Sequence, residues 1–263
     1  MARKTASQAI PARPAEGSAS SDLAARTATN ISIVLVEPQS SGNVGSVARA
    51  MKNTGLTNLV LINPCDYRNN ESYSFACKAD DVLLGARRAA TLDEYLSEGG
   101  VVVGTTRRPG RLRYPALTLT EAVPKILELA VENRVSILFG REVRGLENAE
   151  VSLCDMLVEI PTHADYPSLN LSHAVFIVCH HLFMSSGNER CGIKAAPRIE
   201  IEKMYAHMEE TLRGLGYGDK GGEYLLTAIL RGFKKLFGRT ALMQKEVNML
   251  RGIFTQIRQR IGK

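Results

Sequence analysis

The sequence predicts an α/β fold, a mostly parallel sheet with helices on both faces, followed by a small α-helical extension. Three observations carry this. Continuous apolar runs of strand length recur through the first two-thirds of the 263 residues. Helical spacings with cap signals separate them. After Ser186 the apolar residues fall at helical spacing alone.

Residues 1–29 are rich in Ala, Ser, Thr and Arg and lack an apolar core of signal-peptide length, so they read as a disordered tail. The α/β part is expected over residues 30–185. Its first strand is ISIVLVE, Ile31 to Glu37, a continuous apolar run as a strand buried on both faces requires. Val44, Val47, Ala48 and Met51 then share one face of a helix that Gly55 stops, and Leu59 to Ile62 is the second strand. Val101 to Thr105, Val135 to Phe139 and Met156 to Ile160 read as further strands. Thr91 with Glu94, and Thr118 with Glu121, have the capping-box spacing of intervening helices. The last strand enters a loop with Pro161, His163, Asp165, Tyr166, Pro167 and Ser168, followed by a buried apolar helix from Leu169 to about Met184. The prolines fix φ and stiffen this loop. Ser168 and Asn170 at a helix start read as caps. A rigid polar loop between a buried strand and a buried helix is also where a ligand sits at the C-terminal edge of an α/β sheet.

The segment SGNERCGIKAAP makes residues 186–197 a linker to three amphipathic helices over 198–263. Ile201, Met204, Tyr205, Met208, Leu212 and Leu215 form the apolar stripe of the first. Leu226, Ile229, Leu230, Phe233, Leu236 and Phe237 form that of the second, and Val247, Leu250, Phe254, Ile257 and Ile261 that of the third. Such stripes read as core. From Ser186 onward there are 15 Lys/Arg against 8 Asp/Glu, a net +7, so residues 1–185 carry the remaining −1 of the chain's +6. From Arg231 to Lys263 nine cations face one acid. A basic module attached to a neutral one points to a polyanionic partner, with phosphates as the contacts. The five cysteines are odd in number and form no C-x-x-C pair, as expected of reduced thiols in a cytoplasmic protein. No run of about 18 apolar residues exists, which argues against a membrane span.

Gly42-x-x-Gly45 lacks the G-x-G-x-x-G spacing, and the second strand ends in Asn63-Pro64 rather than an acid for a ribose hydroxyl. Both features argue against an NAD enzyme and against an ordinary Rossmann-type methyltransferase. What remains is a constellation at the strand ends. Asn43-x-Gly45-Ser46-x-x-Arg49 follows the first strand, with Arg49 off the apolar helix face. Thr105-Thr106-Arg107-Arg108 follows another, and Gly140-Arg141-Glu142-x-x-Gly145-Leu146 a third. Gly140 directly after a strand suggests close approach of a flat ligand. Taken alone, Arg141 with Glu142 reads as a surface ion pair worth little.

The Asn43-to-Arg49 segment, then Leu138-Phe139-Gly140-Arg141-Glu142-x-x-Gly145-Leu146, then Ile160-Pro161 through Ser168-Leu169-Asn170-Leu171 resemble the three motifs of the SpoU/TrmH branch of the SPOUT methyltransferases. The resemblance covers about Ile31 to Met184, and the C-terminal helices resemble an extension found in that branch. It implies a deep trefoil knot that binds S-adenosylmethionine and forms a homodimer interface. It also implies methyl transfer to a ribose 2′-hydroxyl of tRNA, at nucleotide 32 of the anticodon loop. Another tRNA position, ribosomal RNA, or a non-catalytic RNA-binding protein of the same fold are the alternatives. The last would be marked by loss of Arg49 or of the Ser168–Asn170 loop, and both are present.

By the same resemblance, Arg49 is the catalytic candidate, a cation beside the developing alkoxide, with Asn43, Ser168 and Asn170 orienting the reacting groups. Thr105, Thr106, Arg107, Gly140, Ile160, Pro167, Ser168 and Leu169 are the cofactor candidates; the segment from Thr105 to Gly110 follows the family pattern only in part. Arg141, Lys234, Lys235 and Arg239 are the RNA candidates. No metal is implied, and His163, Cys179, His180 and His181 do not make a ligand set.

Overall fold

The computed structural model describes residues 27–107, 116–186, 193–219, 222–238 and 241–261. The expectations for residues 1–26, Arg108, Cys191 and Arg239 lie outside them. Seven strands are described: Ile31–Val36 (β1), Asn58–Ile62 (β2), Arg87–Ala89 (β3), Val101–Thr106 (β4), Leu117–Thr118 (β5), Val135–Phe139 (β6) and Met156–Glu159 (β7). They form one parallel sheet in the order β3-β2-β1-β6-β4-β7-β5. The apolar pattern of the sequence does not predict β3 and β5. They have three and two residues and lie at the sheet edges, too short to leave a period.

The side chains of β1 alternate between two cores. Ile31, Ile33 and Leu35 meet Val44, Val47, Met51 and Val175 on one face, while Val34 and Val36 meet Leu92, Leu96 and Leu146 on the other. This two-sided burial is why the strand reads as an unbroken apolar run. Helix α1, Ser41–Asn53, starts at Ser40, whose side chain accepts from Asn43 N, and ends before Gly55 at φ +75. It packs on α2, Asn70–Ala76. A Cβ on Gly45 would lie 2.1 Å from the Ser72 carbonyl oxygen, so only glycine allows that approach. α3, Asp80–Leu84, α4, Leu92–Leu96, α5, Leu119–Ala130, and α6, Asn148–Ser152, complete the two layers. Thr118 and Glu121 form the full capping box at α5, and at α4 the Thr91 side chain accepts from Glu94 N. α7, Leu171–Ser185, buries Val175, Val178, Cys179 and Leu182 but leaves Phe176, Phe183 and Met184 exposed. It is therefore covered on one side only, where the sequence suggested full burial. Thr27 is buried in a helical turn leading into β1, so residues 27–29 belong to the fold rather than to a tail.

Three longer helices follow: α8, Arg198–Gly214, α9, Glu223–Gly238, and α10, Gln244–Ile261. α8 packs against both others around Ala196, Met204, Leu242 and Val247. The stripe of α9 is only partly covered: Leu226 is buried and Ile229, Leu230 and Phe237 are half-buried, whereas Phe233 and Leu236 are exposed. Charge in this part is less lopsided than in the sequence, because Arg251 and Arg258 of α10 pair with Glu200 and Glu210 of α8 at 3.0 and 2.7 Å. The helices dock at the strand starts. Arg198 donates to the Leu153 carbonyl at 3.2 Å and lies 3.6 Å from the Asp155 carboxylate. Asn133 donates to the Ile193 carbonyl and accepts from Ala195 N. Part of the expected linker is thus fixed to the sheet module.

After β6 the chain folds back on itself. A Cβ on Gly140 would lie 2.0 Å from the Gly145 carbonyl carbon and 2.1 Å from Leu146 N. Gly145, at φ +66, donates its N–H to the Arg141 carbonyl at 2.8 Å. The close approach that requires a glycine at 140 is made by the protein's own backbone, where the sequence suggested a flat ligand. Gly140→Ala should therefore lower stability by about 3 kcal/mol, the upper range for forcing atoms into a filled site. Chemical denaturation of the purified variant measures this. An unchanged unfolding midpoint together with lost ligand binding would mean that a ligand, rather than the chain, requires the glycine.

Candidate active site

The C-terminal edge of the sheet carries a cleft. Its walls are Thr105, Thr106 and Arg107 at the end of β4, Phe139 to Leu146 after β6, and Ile160 after β7. Pro167, Ser168, Leu169, Leu171 and Ala174 of the loop into α7 close the other side. All eight cofactor candidates line this one cleft. Its enclosed part is about 110 Å³, below the roughly 300 Å³ of a whole-ligand pocket. It has room for part of a ligand, with the remainder along the open mouth. The Thr105 hydroxyl donates to the Leu138 carbonyl at 2.8 Å, which leaves its methyl and backbone for the cleft. The N–H groups of Ser168 and Leu169 make no backbone hydrogen bond to a described residue. Such unpaired donors in a proline-stiffened loop suit a nucleoside with several acceptors.

A chain of polar contacts beside the cleft joins all three motif segments. The Glu142 carboxylate accepts from Gln39 N at 3.0 Å, Ser40 N at 3.1 Å and Asn43 Nδ2 at 3.0 Å. Asn43 Oδ1 accepts from Asn170 Nδ2 at 3.0 Å. Asn170 Oδ1 accepts from Ser172 N at 2.8 Å and Ser172 Oγ at 2.7 Å, so Asn170 is both the cap of α7 and a member of the chain. Glu142 was the residue that sequence reasoning missed. Beside Arg141 it looked like half of an ion pair, yet it lies at the N-terminus of α1, where backbone donors and the helix dipole favour an anion. The usable signal was an acid at one strand end and a Ser/Gly/Asn helix start at the neighbouring one.

Arg141 is also placed differently from its expected role on RNA. Its side chain is 12% exposed, with Nε 2.8 Å from Glu37 and Nη1 3.0 Å from Glu150. Arg141 and Glu150 are largely buried and Glu37 is 43% exposed, so this is a half-buried network rather than a surface pair. Hydrogen bonding to Arg141 holds the Glu37 carboxyl below its usual range, and the same bond with that to Glu150 raises the guanidinium further.

Arg49 lies off the buried face of α1, is exposed, and has no ion pair or side-chain hydrogen bond with a described residue. It follows Asn43 by six residues, about 9 Å along the axis, and does not line the cleft. Of the expected RNA contacts on α9, the Lys234 ammonium lies 5.5 Å from the Tyr205 ring centroid. Partial burial and then Arg231 push the Lys235 ammonium down.

Comparison with known proteins agrees with this geometry. Residues 30–180 match the model of the SpoU rRNA Methylase family, and residues 199–263 match the C-terminal domain of the tRNA methyltransferase TrmJ. The chain is 36% identical over 241 residues to the tRNA (cytidine/uridine/adenosine-2'-O-)-methyltransferase TrmJ of Pseudomonas aeruginosa, covering 86% of this chain and 93% of that protein. It is 36% identical over 240 residues to the tRNA (cytidine/uridine-2'-O-)-methyltransferase TrmJ of Escherichia coli K12, covering 88% and 96%. The crystal structure of TrmJ from Z. mobilis ZM4 superposes with a TM-score of 0.67 at 32% identity, covering 86% of this chain and 98% of that one. With a family model spanning the sheet and its cleft, and relatives of this similarity spanning nearly the whole chain, the protein belongs to the SpoU methylase family.

Proposed function

We propose that this protein is an S-adenosylmethionine-dependent tRNA ribose 2′-O-methyltransferase, a cytoplasmic homodimer acting on cytidine or uridine at nucleotide 32 of the anticodon loop. One observation carries the reading: the cleft and the Glu142–Asn43–Asn170 chain bring three separate motif segments to one sheet edge. Ribosomal RNA is the second reading, favoured by the family's description. The match of residues 199–263 to a tRNA methyltransferase domain supports tRNA.

When bound, S-adenosylmethionine supplies a methyl group made electrophilic by its sulfonium. The open N–H groups of Ser168 and Leu169 and the backbone at Thr105, Gly140 and Ile160 would hold the nucleoside part. Asn43, fixed by Glu142, and Asn170, fixed as a cap, are pre-oriented to hold the ribose hydroxyl in line. Arg49 carries a free planar fork of donors for the developing alkoxide. A free guanidinium keeps its proton above about pH 12, so the hydroxyl proton leaves to water or a substrate phosphate. Arg49 does not line the cleft of its own chain. Beside the cleft, Tyr166 is 79% exposed and Phe176, Phe183 and Met184 leave an apolar face on α7. A second copy covering that face is the homodimer proposed here. The family's knot would be formed by the turn 140–146 and the loop 161–170.

Mass spectrometry of tRNA and ribosomal RNA nucleosides from a deletion strain tests the substrate; loss of a 2′-O-methyl mark from ribosomal RNA alone would favour the second reading. Leu169→Arg, in the cleft, should abolish cofactor binding in calorimetry while the protein stays folded. Arg49→Ala should keep cofactor affinity and slow methyl transfer about a hundredfold, the scale for losing one oxyanion-stabilising donor; near-normal turnover would make Arg49 a surface residue only. Arg231→Gln with Lys235→Gln should weaken all RNA binding alike. The plot of log affinity against log salt should flatten by roughly 0.7 to 0.9 for each phosphate that is no longer neutralised. An unchanged slope would leave these helices no phosphate role.

A further inference from the structure

We propose that Arg141 is a positioning residue for the cofactor cleft: it ties the turn 140–146, one wall of the cleft, to the end of β1 and to α6. The inference rests on the cleft being the cofactor site. Leu146, buried with Val34 and Val36, holds the end of the turn, and its middle needs other ties. Val143 is 73% exposed and Arg144 is exposed, so no other described element covers its outer side. Its own backbone contributes the bond from Gly145 N to the Arg141 carbonyl. Two side chains then anchor it. Glu142 reaches the start of α1. Arg141 reaches Glu37 through Nε at 2.8 Å and Glu150 through Nη1 at 3.0 and 3.2 Å.

Both partners of Arg141 are themselves fixed. Glu37 directly follows β1 at φ +48 and donates its N–H to the Ile62 carbonyl at 2.9 Å. Glu150 accepts from Glu147 N at 2.6 Å at the start of α6. A planar guanidinium can bridge two carboxylates on different segments with directional bonds, whereas a single ammonium cannot hold both in one plane. The half to Glu150, with both side chains largely buried, is poorly screened by salt, whereas the Glu37 carboxylate is partly open to solvent. A cofactor lying against the backbone of 140–146 responds to any shift of that wall. The reacting hydroxyl depends on Arg141 less directly, because Glu142, next to it in the turn, has its own anchors at Gln39 N, Ser40 N and Asn43.

The expected signature is a split between cofactor KM and kcat. Arg141→Ala should raise KM for S-adenosylmethionine about tenfold or more, as a small misplacement of a binding wall does. At saturating cofactor, kcat should stay within about threefold, and tRNA affinity and its salt slope should match the wild type, since no phosphate contact is removed. Arg141→Lys should recover part of the cofactor KM. Glu37→Gln, which leaves the Glu150 contact, should raise it less than Arg141→Ala. If Arg141→Ala does not fold, Arg141→Lys and Glu37→Gln decide: a wild-type cofactor KM in both overturns the proposal. So does a lower tRNA affinity with a flatter salt slope and unchanged cofactor KM, which would make Arg141 an RNA contact, or a fall in kcat alone. Failure of the wild-type protein to bind S-adenosylmethionine in calorimetry would instead remove the cofactor site itself.

Discussion

The reversal of the chain at Gly140 is the constraint on which the site depends. Backbone atoms of Gly145 and Leu146 occupy the space of a side chain there, so the turn closes only around a residue without one. Closure places Arg141 and Glu142 side by side with separate tasks. Arg141 engages carboxylates at β1 and α6, and Glu142 accepts from the first N–H groups before α1. An anion at that point satisfies donors that a helix start cannot satisfy internally. It also fixes Asn43, and through Asn43 the cap of α7. Strand ends that are far apart in sequence thereby act as one unit.

Much of the fold was legible because burial on both faces leaves continuous apolar runs. β1, β2, β4, β6 and β7 all show it, and the caps at Thr91 and Thr118 mark two of the helices between them. β3 and β5 were not legible, since an edge strand of two or three residues has no apolar requirement to record. The site was legible as a gathering of residue types at strand ends, and in its fine structure it was not. Arg141 and Glu142 are adjacent in sequence, which suggested a pair; nothing local shows that one faces Glu37 and Glu150 while the other faces α1. Gly140 similarly records that something approaches closely, without recording whether that is a ligand or the chain.

The C-terminal helices show the same limit with charge. Counting cations from Arg231 to Lys263 gave nine against one acid, but Glu200 and Glu210, which pair with two of them, lie on the preceding helix α8. The electrostatic surface is set by helix packing, and a count along one segment overstates it. Lys234 is drawn toward Tyr205 in the same way.

Position adds a further condition. Arg198 and the 193–197 segment attach the basic helices near Leu153, Asp155 and Asn133, which precede strands. The cleft lies where the strands end. A six-residue strand such as β4 separates these edges by about 20 Å. Contacts to phosphates position an RNA without selecting a base, so under the proposed function the helices would set its approach. Selection would then fall to the residues around the cleft, where Asn43 and Asn170 are already oriented by their own hydrogen bonds. Under the proposed function, an RNA that touches both regions has to span them, and a folded stem with a loop at its end would do so while presenting one nucleotide at a fixed distance.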